Sequence, residues 1–417
     1  MKIQIKSKLK YIAALVLCAS ALFLCCAFAV RLPRGVYVNG CDVGGMTYAA
    51  AKSRLRRAVE EDLKTKRLRI CADERVYEYT FPEIDYSDGF DFTLTQIKRG
   101  GSYFSPVHYF LNGAEEIAEY ICSGGDRATQ EPYATFSAEG EPFEYFDGAD
   151  GVLCDRKKLL EDISRSLNGA FEEVSVCATV IPRKGTVEEV KERTRKLYSF
   201  TTYFDGDNLD RSENIRLAAQ KINGSVVESG EIFSFNSTVG ARTESNGFKQ
   251  AKIIEDGKFV LGYGGGVCQA STTLYNAAIL SGLEVVEYHP HSLQVNYVAP
   301  SRDAMVSGTY FDLKFKNNRD CPVYLRASAT ANSVTCTVYG KSDGYDYSFL
   351  STVSEVIPRP QAVVVKGEEQ KVISYGRDGT VSEGYLVKTK NGEEECVLVR
   401  KDKYLAVADV VQETEGE

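Results

Sequence analysis

The feature that most constrains this chain is an uncharged, largely apolar run over residues 11–30, directly after a lysine-rich amino end. A helix of about 20 residues, rising about 1.5 Å per residue, crosses a bilayer core of roughly 30 Å. Because positive charge tends to stay on the inner side, the remaining chain is expected to pass outside. We therefore predict a cytoplasmic stub and a transmembrane signal-anchor over residues 1–31, in a single-pass cell-membrane protein.

A second interpretation of this run remains open. Ala27-Phe28-Ala29 provides the small residues of a signal-peptide cleavage site, so the run is either kept as an anchor or removed. The run is longer than a usual signal-peptide core, which favours the uncleaved anchor. Both interpretations place the bulk of the chain outside the cell.

The rest of the sequence has the composition of a folded protein, with 43% hydrophobic and 26% charged residues and no low-complexity stretch. It is too long for one compact domain, so two or three are expected. A net charge of -8 and a pI of about 5.3 argue against nucleic acid as a partner.

Cysteine usage supports no regular disulfide framework. Three of the 12 cysteines lie in the apolar run, which leaves an odd number beyond it and no CxxC pair. An odd number leaves at least one free thiol if the others pair. Apart from Cys268, discussed below, we interpret these cysteines as packing residues or unassigned disulfides: Cys41, Cys71, Cys122, Cys154, Cys177, Cys321, Cys336 and Cys396.

Residues 34–195 contain two similar strand-and-helix units. In the first unit Leu55, Val59 and Leu63 repeat at helical spacing, and in the second Asp155 stands where a side chain caps a helix. The pattern predicts a small α+β module.

The densest motif lies in residues 262–276, where three adjacent glycines precede Val267-Cys268-Gln269. Glycines allow backbone conformations closed to other residues and let a ligand approach the main chain. The residues that follow predict a helix with Cys268 at or just before its first turn. Unpaired N–H groups and the helix dipole lower the pKa of a thiol there, and the same N–H groups can hold an oxyanion.

Phosphate binding is the competing use of a glycine loop at a helix start. This motif lacks the Gly-Lys-Ser/Thr ending, and Val267 stands where a dinucleotide motif has its last glycine. The sequence therefore argues against phosphate.

A cysteine nucleophile needs a base, and two of the three histidines, His289 and His291, follow Cys268 closely. Val285-Val286 predicts an extended strand here, on which residues two apart project to one side. One imidazole would take the thiol proton, and Asp303 would hold that ring in the right tautomer. Arg302 would attract a substrate carboxylate.

Three other interpretations compete with this one. Cys268 alone would be a packing residue, because free cysteine is among the most buried residue types. Cys268, His289 and His291 together would bind zinc with one open position. A third interpretation makes the pocket bind without reacting. His108 has no chemical neighbours in the sequence and is interpreted as structural.

Residues 199–327 resemble the VanW domain family. The resemblance is carried by Phe-Ser-Phe-Asn at 233–236, Arg242-Thr243, Gly-Gly-Gly-Val-Cys-Gln at 264–269, Ser-Thr-Thr-Leu-Tyr-Asn-Ala at 271–277, His-Pro-His-Ser at 289–292, Arg302-Asp303-Ala304, Asp312, Phe315, Asn317 and Asn318. Some VanW domains act as L,D-transpeptidases with the motif cysteine as nucleophile. The resemblance implies that Cys268 attacks the third residue of a peptidoglycan stem peptide, expels D-alanine and forms a 3-3 cross-link.

These arguments define the expected site, which needs no metal and no cofactor. The expected catalytic residues are Cys268, His289, His291 and Asp303. We assign substrate binding to the glycine loop, to polar residues after it and to two arginines: Gly264, Gly265, Gly266, Gln269, Ser271, Thr272, Arg242 and Arg302.

Two flanking regions carry weaker resemblances. Residues 35–47 are similar to a peptidoglycan-binding domain of exported Gram-positive proteins. The tail alternates around Asn391-Gly392, which predicts a β-hairpin. From about residue 356 the tail resembles a shortened G5 domain; a plain β extension is the alternative.

The expected fold class is α+β in several domains. Behind the anchor we expect a peptidoglycan-binding region at 34–195, a mixed α+β VanW domain at 197–330 and a β-rich tail at 331–417. The implied partners are peptidoglycan stem peptides and glycan strands, with the membrane reached through the N-terminal helix. A hydrolase and a non-catalytic accessory protein for peptidoglycan binding or glycopeptide resistance remain the alternatives.

Overall fold

The structure is a computed structural model that describes residues 30–255, 258–308 and 310–414. The predicted anchor lies outside these ranges except for its last residues. No helix within them is long and apolar enough to cross a membrane.

The helices and strands are numbered here in chain order. The helices are α1 (Tyr48–Leu63), α2 (Phe90–Gln96), α3 (Ala114–Gly125), α4 (Arg156–Leu167), α5 (Val187–Arg193), α6 (Leu209–Ile222), α7 (Phe235–Val239) and α8 (Val267–Ile279), with a 3-10 turn at Glu244–Asn246. The strands are β1 (Val36–Val38), β2 (Cys41–Asp42), β3 (Leu68–Ala72), β4 (Arg75–Tyr79), β5 (Ile84–Asp88), β6 (Gly101–Tyr103), β7 (Val107–Leu111), β8 (Tyr133–Phe136), β9 (Phe143–Phe146), β10 (Gly151–Cys154), β11 (Val174–Ser175), β12 (Ala178–Ile181), β13 (Arg195–Tyr203), β14 (Val226–Val227), β15 (Ile232–Ser234), β16 (Gln250–Glu255), β17 (Lys258–Tyr263), β18 (Glu284–Glu287), β19 (Lys314–Lys316), β20 (Val323–Ala329), β21 (Ser333–Gly340), β22 (Asp346–Ile357), β23 (Val363–Gly367), β24 (Lys371–Ser374), β25 (Gly379–Lys390), β26 (Glu393–Tyr404) and β27 (Val410–Thr414). This mixture of helices and strands confirms the predicted α+β class.

The chain divides into two compact units. The first contains the described residues up to Gln130 together with Ala149–Arg183, and the second contains Glu131–Gly148 and the described residues from Lys184 onward. The division differs from the predicted boundary near 195, because the hairpin β8–β9 and helix α5 go with the second unit.

The first unit combines helices α1 to α4 with small sheets in the orders β2-β1-β6, β11-β3-β4, β5-β7 and β10-β12. Asp155 caps α4 as predicted, since its carboxylate accepts a hydrogen bond from the Lys158 amide at 2.9 Å. A disulfide between Cys122 and Cys154 joins α3 to β10. Cys122 packs in an apolar cluster with Leu159 and Ile163 of α4.

The second unit is built around helix α8, whose residues from Gln269 to Ile279 are all buried. A helix that is buried on every side lies in the centre of a core rather than on a surface. It packs with α6 against the sheet β13-β21-β20-β14. The sheet β15-β19-β18 and the hairpin β16–β17 belong to the same unit.

The carboxyl-terminal part of the second unit is all β, as predicted. Strands β25 and β26 form a hairpin around Asn391 and Gly392, which have φ values of 55° and 87°. Two successive positive φ angles are typical of a tight hairpin turn. Strand β22 pairs with β25, and this three-stranded sheet, β22-β25-β26, supplies side chains to the site described next.

Candidate functional site

The loop that precedes α8 needs its three glycines for steric reasons. Gly264 and Gly266 have φ values of 82° and 106°, a conformation that other residues rarely adopt. A Cβ atom would lie 2.8 Å from the side chain of Arg242 at Gly264, and 2.7 Å from the Lys252 carbonyl oxygen at Gly265. The space in front of these glycines is thus filled by the protein itself.

Cys268 is the second residue of α8, which confirms the prediction that it lies in the first helical turn. Its side chain is partly buried, and Sγ lies 3.3 Å from the carbonyl oxygen of Val306. Burial opposes the thiolate, but the hydrogen bond and charge of His291 outweigh it and lower the pKa of Cys268. The site therefore favours the nucleophilic form of this thiol.

His291 connects the thiol to a carboxylate. Its Nδ1 atom lies 2.7 Å from Oδ2 of Asp303, and its backbone N–H donates to the same oxygen at 2.7 Å. Burial lowers the pKa of His291, yet Asp303 and the Cys268 thiolate raise it to about 9. Because Nδ1 is held by Asp303, Nε2 is the ring nitrogen left for the thiol.

The partners of His289 differ from those of His291. Strand β18 ends at Glu287, so the prediction that one extended strand presents both imidazoles on one face is wrong. His289 Nε2 lies 3.0 Å from Oε1 of Glu287, and its ring centroid lies 4.7 Å from that of Phe311. Of the two histidines, His291 is the one that the structure brings to Cys268.

Two side chains of strand β26 hold Asp303 in place. The Tyr404 hydroxyl donates to Oδ1 of Asp303 at 2.6 Å. Arg400 donates from Nη1 to the Asp303 carbonyl oxygen at 2.7 Å. Burial raises the pKa of Asp303, but the hydrogen bonds from His291 and Tyr404 outweigh it and keep the pKa below its usual range. We call Arg400 and Tyr404 the C-terminal clamp.

Both side chains of the C-terminal clamp are buried, and the positive charge of Arg400 is paired with a carboxylate. Nε of Arg400 donates to Oδ2 of Asp402 at 2.6 Å, and its guanidinium lies 4.3 Å from the centre of the Tyr288 ring. Loss of either partner would leave an uncompensated buried charge, which is strongly destabilising. Sequence reasoning missed the clamp, because alternating residues of a β-strand give no sign of a contact with a residue as distant as Asp303.

The polar residues of α8 that were assigned to substrate lie inside the core. Gln269 is hydrogen-bonded to Arg211, Thr202 and the carbonyl of Tyr203. The Thr272 hydroxyl accepts from the Ala304 amide at 3.0 Å, and the buried Ser271 hydroxyl has no hydrogen-bond partner among the described residues. These side chains position the helix and the segment that carries Asp303.

The two predicted arginines have different places. Nε of Arg302 donates to Asn276 at 2.8 Å, and its guanidinium lies 5.0 and 5.1 Å from the ring centres of Phe200 and Phe349. Arg302 therefore packs in the interior. Arg242 stands beside the thiol, where its positive charge helps to lower the pKa of Cys268.

Tyr297 is a further residue at the site that the sequence did not reveal. It lies in the irregular segment between β18 and β19, close to Thr272 and Cys268. Burial and the negative charge of the Cys268 thiolate raise the pKa of the Tyr297 hydroxyl, so it stays protonated. No motif marks this residue in the sequence.

The zinc interpretation required Cys268, His289 and His291 to converge. His289 is turned to Glu287, and Nδ1 of His291 is held by Asp303. Within the described ranges no group of three or more His, Cys, Asp or Glu side chains is arranged to hold a metal ion.

Part of this chain is similar to known proteins. The family model described as "VanW like protein" matches residues 210–339. The chain is similar to the uncharacterized protein YoaR of Bacillus subtilis (strain 168), with 43% identity over 35% of this chain and 48% of that protein. It is also similar to the vancomycin B-type resistance protein VanW of Enterococcus faecalis (strain ATCC 700802 / V583), with 30% identity over 30% of this chain and 48% of that protein.

The chain thus spans about half the length of the curated relatives that it matches. No solved structure matches it. The matched segment contains Cys268, His291 and Asp303, whereas the C-terminal clamp lies beyond its end. Residues 210–339 of this chain therefore form a VanW-like domain.

Proposed function

We propose that this protein remodels the bacterial cell wall and that Cys268 is the nucleophile of an L,D-transpeptidase that forms 3-3 cross-links. The observation that carries the proposal is the placement of His291: its Nδ1 lies 2.7 Å from Oδ2 of Asp303, and its interaction with Cys268 lowers the pKa of that thiol. The name of one relative, a vancomycin resistance protein, supports a role at the cell envelope.

The first half of the reaction forms a thioester. His291 takes the thiol proton, and the thiolate attacks the carbonyl carbon of the third stem-peptide residue. The amides of Val267 and Gln269 already donate to the carbonyl oxygens of Gly264 and Gly266, so we assign the oxyanion to the amide of Cys268 at the start of α8. The imidazolium then gives its proton to the leaving D-alanine nitrogen as the C–N bond breaks.

The second half transfers the acyl group. An amine of a neighbouring stem peptide attacks the thioester carbon, and His291 removes the proton from that nitrogen. The C–S bond breaks, a new amide forms, and the thiolate returns. Water in place of the amine would release a tripeptide, which is the hydrolase alternative.

The proposal includes the predicted location and partners. The anchor over residues 1–31 would hold the site near stem peptides and glycan strands outside the membrane, with the region at 34–195 bound to the wall. Tethering of this kind raises the local substrate concentration without any new contact at the site.

Mass spectrometry of the full-length chain in detergent, incubated with a disaccharide-tetrapeptide, tests the proposal. We expect 3-3 dimers and a thioester on Cys268 in the wild type, and neither product in Cys268→Ala. Cys396→Ala removes an exposed free thiol and serves as the control, in which the products should be unchanged. Tripeptide without dimer would identify a carboxypeptidase. Wall binding without any chemistry would favour the accessory-protein interpretation.

A further inference from the structure

Two arginines lie on either side of the loop that carries the thiol. A Cβ atom at Gly264 would lie 2.8 Å from Cγ of Arg242, and one at Gly266 would lie 2.9 Å from Cγ of Arg211. The outer two glycines of the loop therefore make room for these two side chains. Arg211 comes from α6 and Arg242 from the loop after α7, so two separate elements each bring an arginine to the glycine loop that precedes Cys268.

Neither arginine has a carboxylate within ion-pair distance among the described residues. Each donates one Nη2 hydrogen bond to a neutral amide oxygen, Arg211 to Gln269 and Arg242 to Asn236. Each also lies over one aromatic ring, at 5.9 Å from Phe204 and 5.7 Å from Phe235.

Other arginines of the second unit form close ion pairs with carboxylates. Arg400 is paired with Asp402 at 2.6 Å, and Arg319 with Asp343 at 2.5 Å. Burial lowers the pKa of both Arg211 and Arg242. The negative charge of the Cys268 thiolate opposes this effect at both arginines, as do the more distant carboxylates of Asp205 at Arg211 and of Asp312 at Arg242. Guanidinium groups that form no ion pair and lie close to a nucleophile have capacity for an anionic ligand.

We propose that Arg211 and Arg242 form a carboxylate cradle across Cys268 that selects acyl donors with a free carboxylate on the leaving residue. A guanidinium binds a carboxylate with paired N–H donors, and two of them restrict where its charge can lie. The preferred donors are then peptides that end one residue after the bond that breaks. The identity of the donor rests on the proposed function; the presence of the cradle does not.

The cradle is tested by the charge selectivity of Cys268 alkylation. Iodoacetate is anionic and iodoacetamide is neutral, so the ratio of their rates at Cys268 measures the local positive charge. We expect Arg211→Gln and Arg242→Gln each to lower this ratio about fivefold, because unit charges within a partly buried site interact by a few kcal/mol at most. Arg211→Lys keeps the charge and should retain most of the ratio.

Two controls accompany this measurement. Arg216→Gln removes an arginine of the same helix that is ion-paired with Glu213, and it should leave the ratio unchanged. The exposed thiol of Cys396 provides a reference within each protein. Because Arg211 touches Gln269, unfolding midpoints are measured for every variant. An unchanged ratio in folded variants of both Arg211 and Arg242 would overturn the cradle.

A second measurement separates the cradle from the proposed function. Acylation of Cys268 is followed with a tetrapeptide donor that ends in a carboxylate and with its carboxamide. A preference for the acid that both glutamine variants lose supports the cradle. Equal acylation by both donors overturns the cradle and leaves the transpeptidase proposal standing. No acylation by either donor, together with the altered alkylation ratio, supports the cradle and rejects the transpeptidase.

Discussion

Cys268 and Cys336 belong to the same hydrophobic core, but the pKa values of their thiols are shifted in opposite directions. Cys336 lies on β21, fully buried among apolar side chains, and burial alone raises its pKa to about 12. Cys268 lies at the start of α8, which packs on that strand, and its pKa is lowered because His291 supplies a hydrogen bond and a positive charge. Burial makes a thiol inert, and an imidazole held by a buried carboxylate reverses that effect.

The largest effect on the thiol of Cys268 is expected from removal of the His291 imidazole. In His291→Ala the thiol keeps its burial and loses its partner, so we expect its pKa to rise and its alkylation by iodoacetamide at pH 7 to slow about 100-fold. Site-specific mass spectrometry of labelled peptides provides the rate. His289→Ala is the matched control, and a similar loss there would mean that the wrong histidine has been assigned.

The reaction rates of Cys268 should also depend on pH in a way that reflects its pairing with His291. The lowered pKa of Cys268 means that its alkylation begins at a lower pH than that of an ordinary cysteine thiol. The raised pKa of His291 means that the imidazolium is present below about 9 and is lost above it. Acylation by a donor peptide, which needs the imidazolium to protonate the leaving amine, should decline about tenfold per pH unit above that value. A rate that keeps rising to pH 10 would contradict the ion pair.

The C-terminal clamp allows a milder perturbation of the same site. Tyr404→Phe removes a hydroxyl that donates to a buried carboxylate, which should cost about 1 to 3 kcal/mol of unfolding free energy. We also expect alkylation of Cys268 to slow about threefold, because Asp303 holds His291 less firmly. Urea unfolding and peptide labelling provide the two values. Tyr385→Phe, whose hydroxyl donates to Glu383 on the same sheet, should change neither.

The smallest effect is expected at the inert thiol. Cys336→Ala leaves a small cavity and should cost less than about 1.5 kcal/mol of unfolding free energy. It should leave the alkylation rate of Cys268 unchanged, since burial alone raises the pKa of Cys336. A change at Cys268 would show that the two thiols are coupled through the core.

Local patterns predicted the elements that local physics determines. Helical spacing predicted α1, and Gly264–Gly266 before an uninterrupted run predicted the start of α8. The Asn391-Gly392 turn predicted the β25–β26 hairpin. Asp303 was chosen from the sequence because a carboxylate is the usual partner of a catalytic imidazole, and the structure places it on His291.

What the sequence did not predict depends on contacts between distant segments. The extended pattern at Val285-Val286 gave no sign that the strand ends at Glu287, so it could not distinguish His291 from His289. Tyr404 lies 101 positions from the carboxylate that it contacts. Arg211 gave no signal either, because one arginine on an amphipathic helix has the pattern of a solvated surface residue.

The position of the clamp has a consequence for the order of events as the chain is made. The ribosome adds Cys268, His291 and Asp303 well before Arg400 and Tyr404. A growing chain therefore contains the thiol nucleophile before it contains the two side chains that hold Asp303 in place. Until β26 pairs with β25, Asp303 lacks its hydroxyl donor and His291 lacks a fixed partner. We therefore expect full reactivity of the thiol only after β26 has paired with β25.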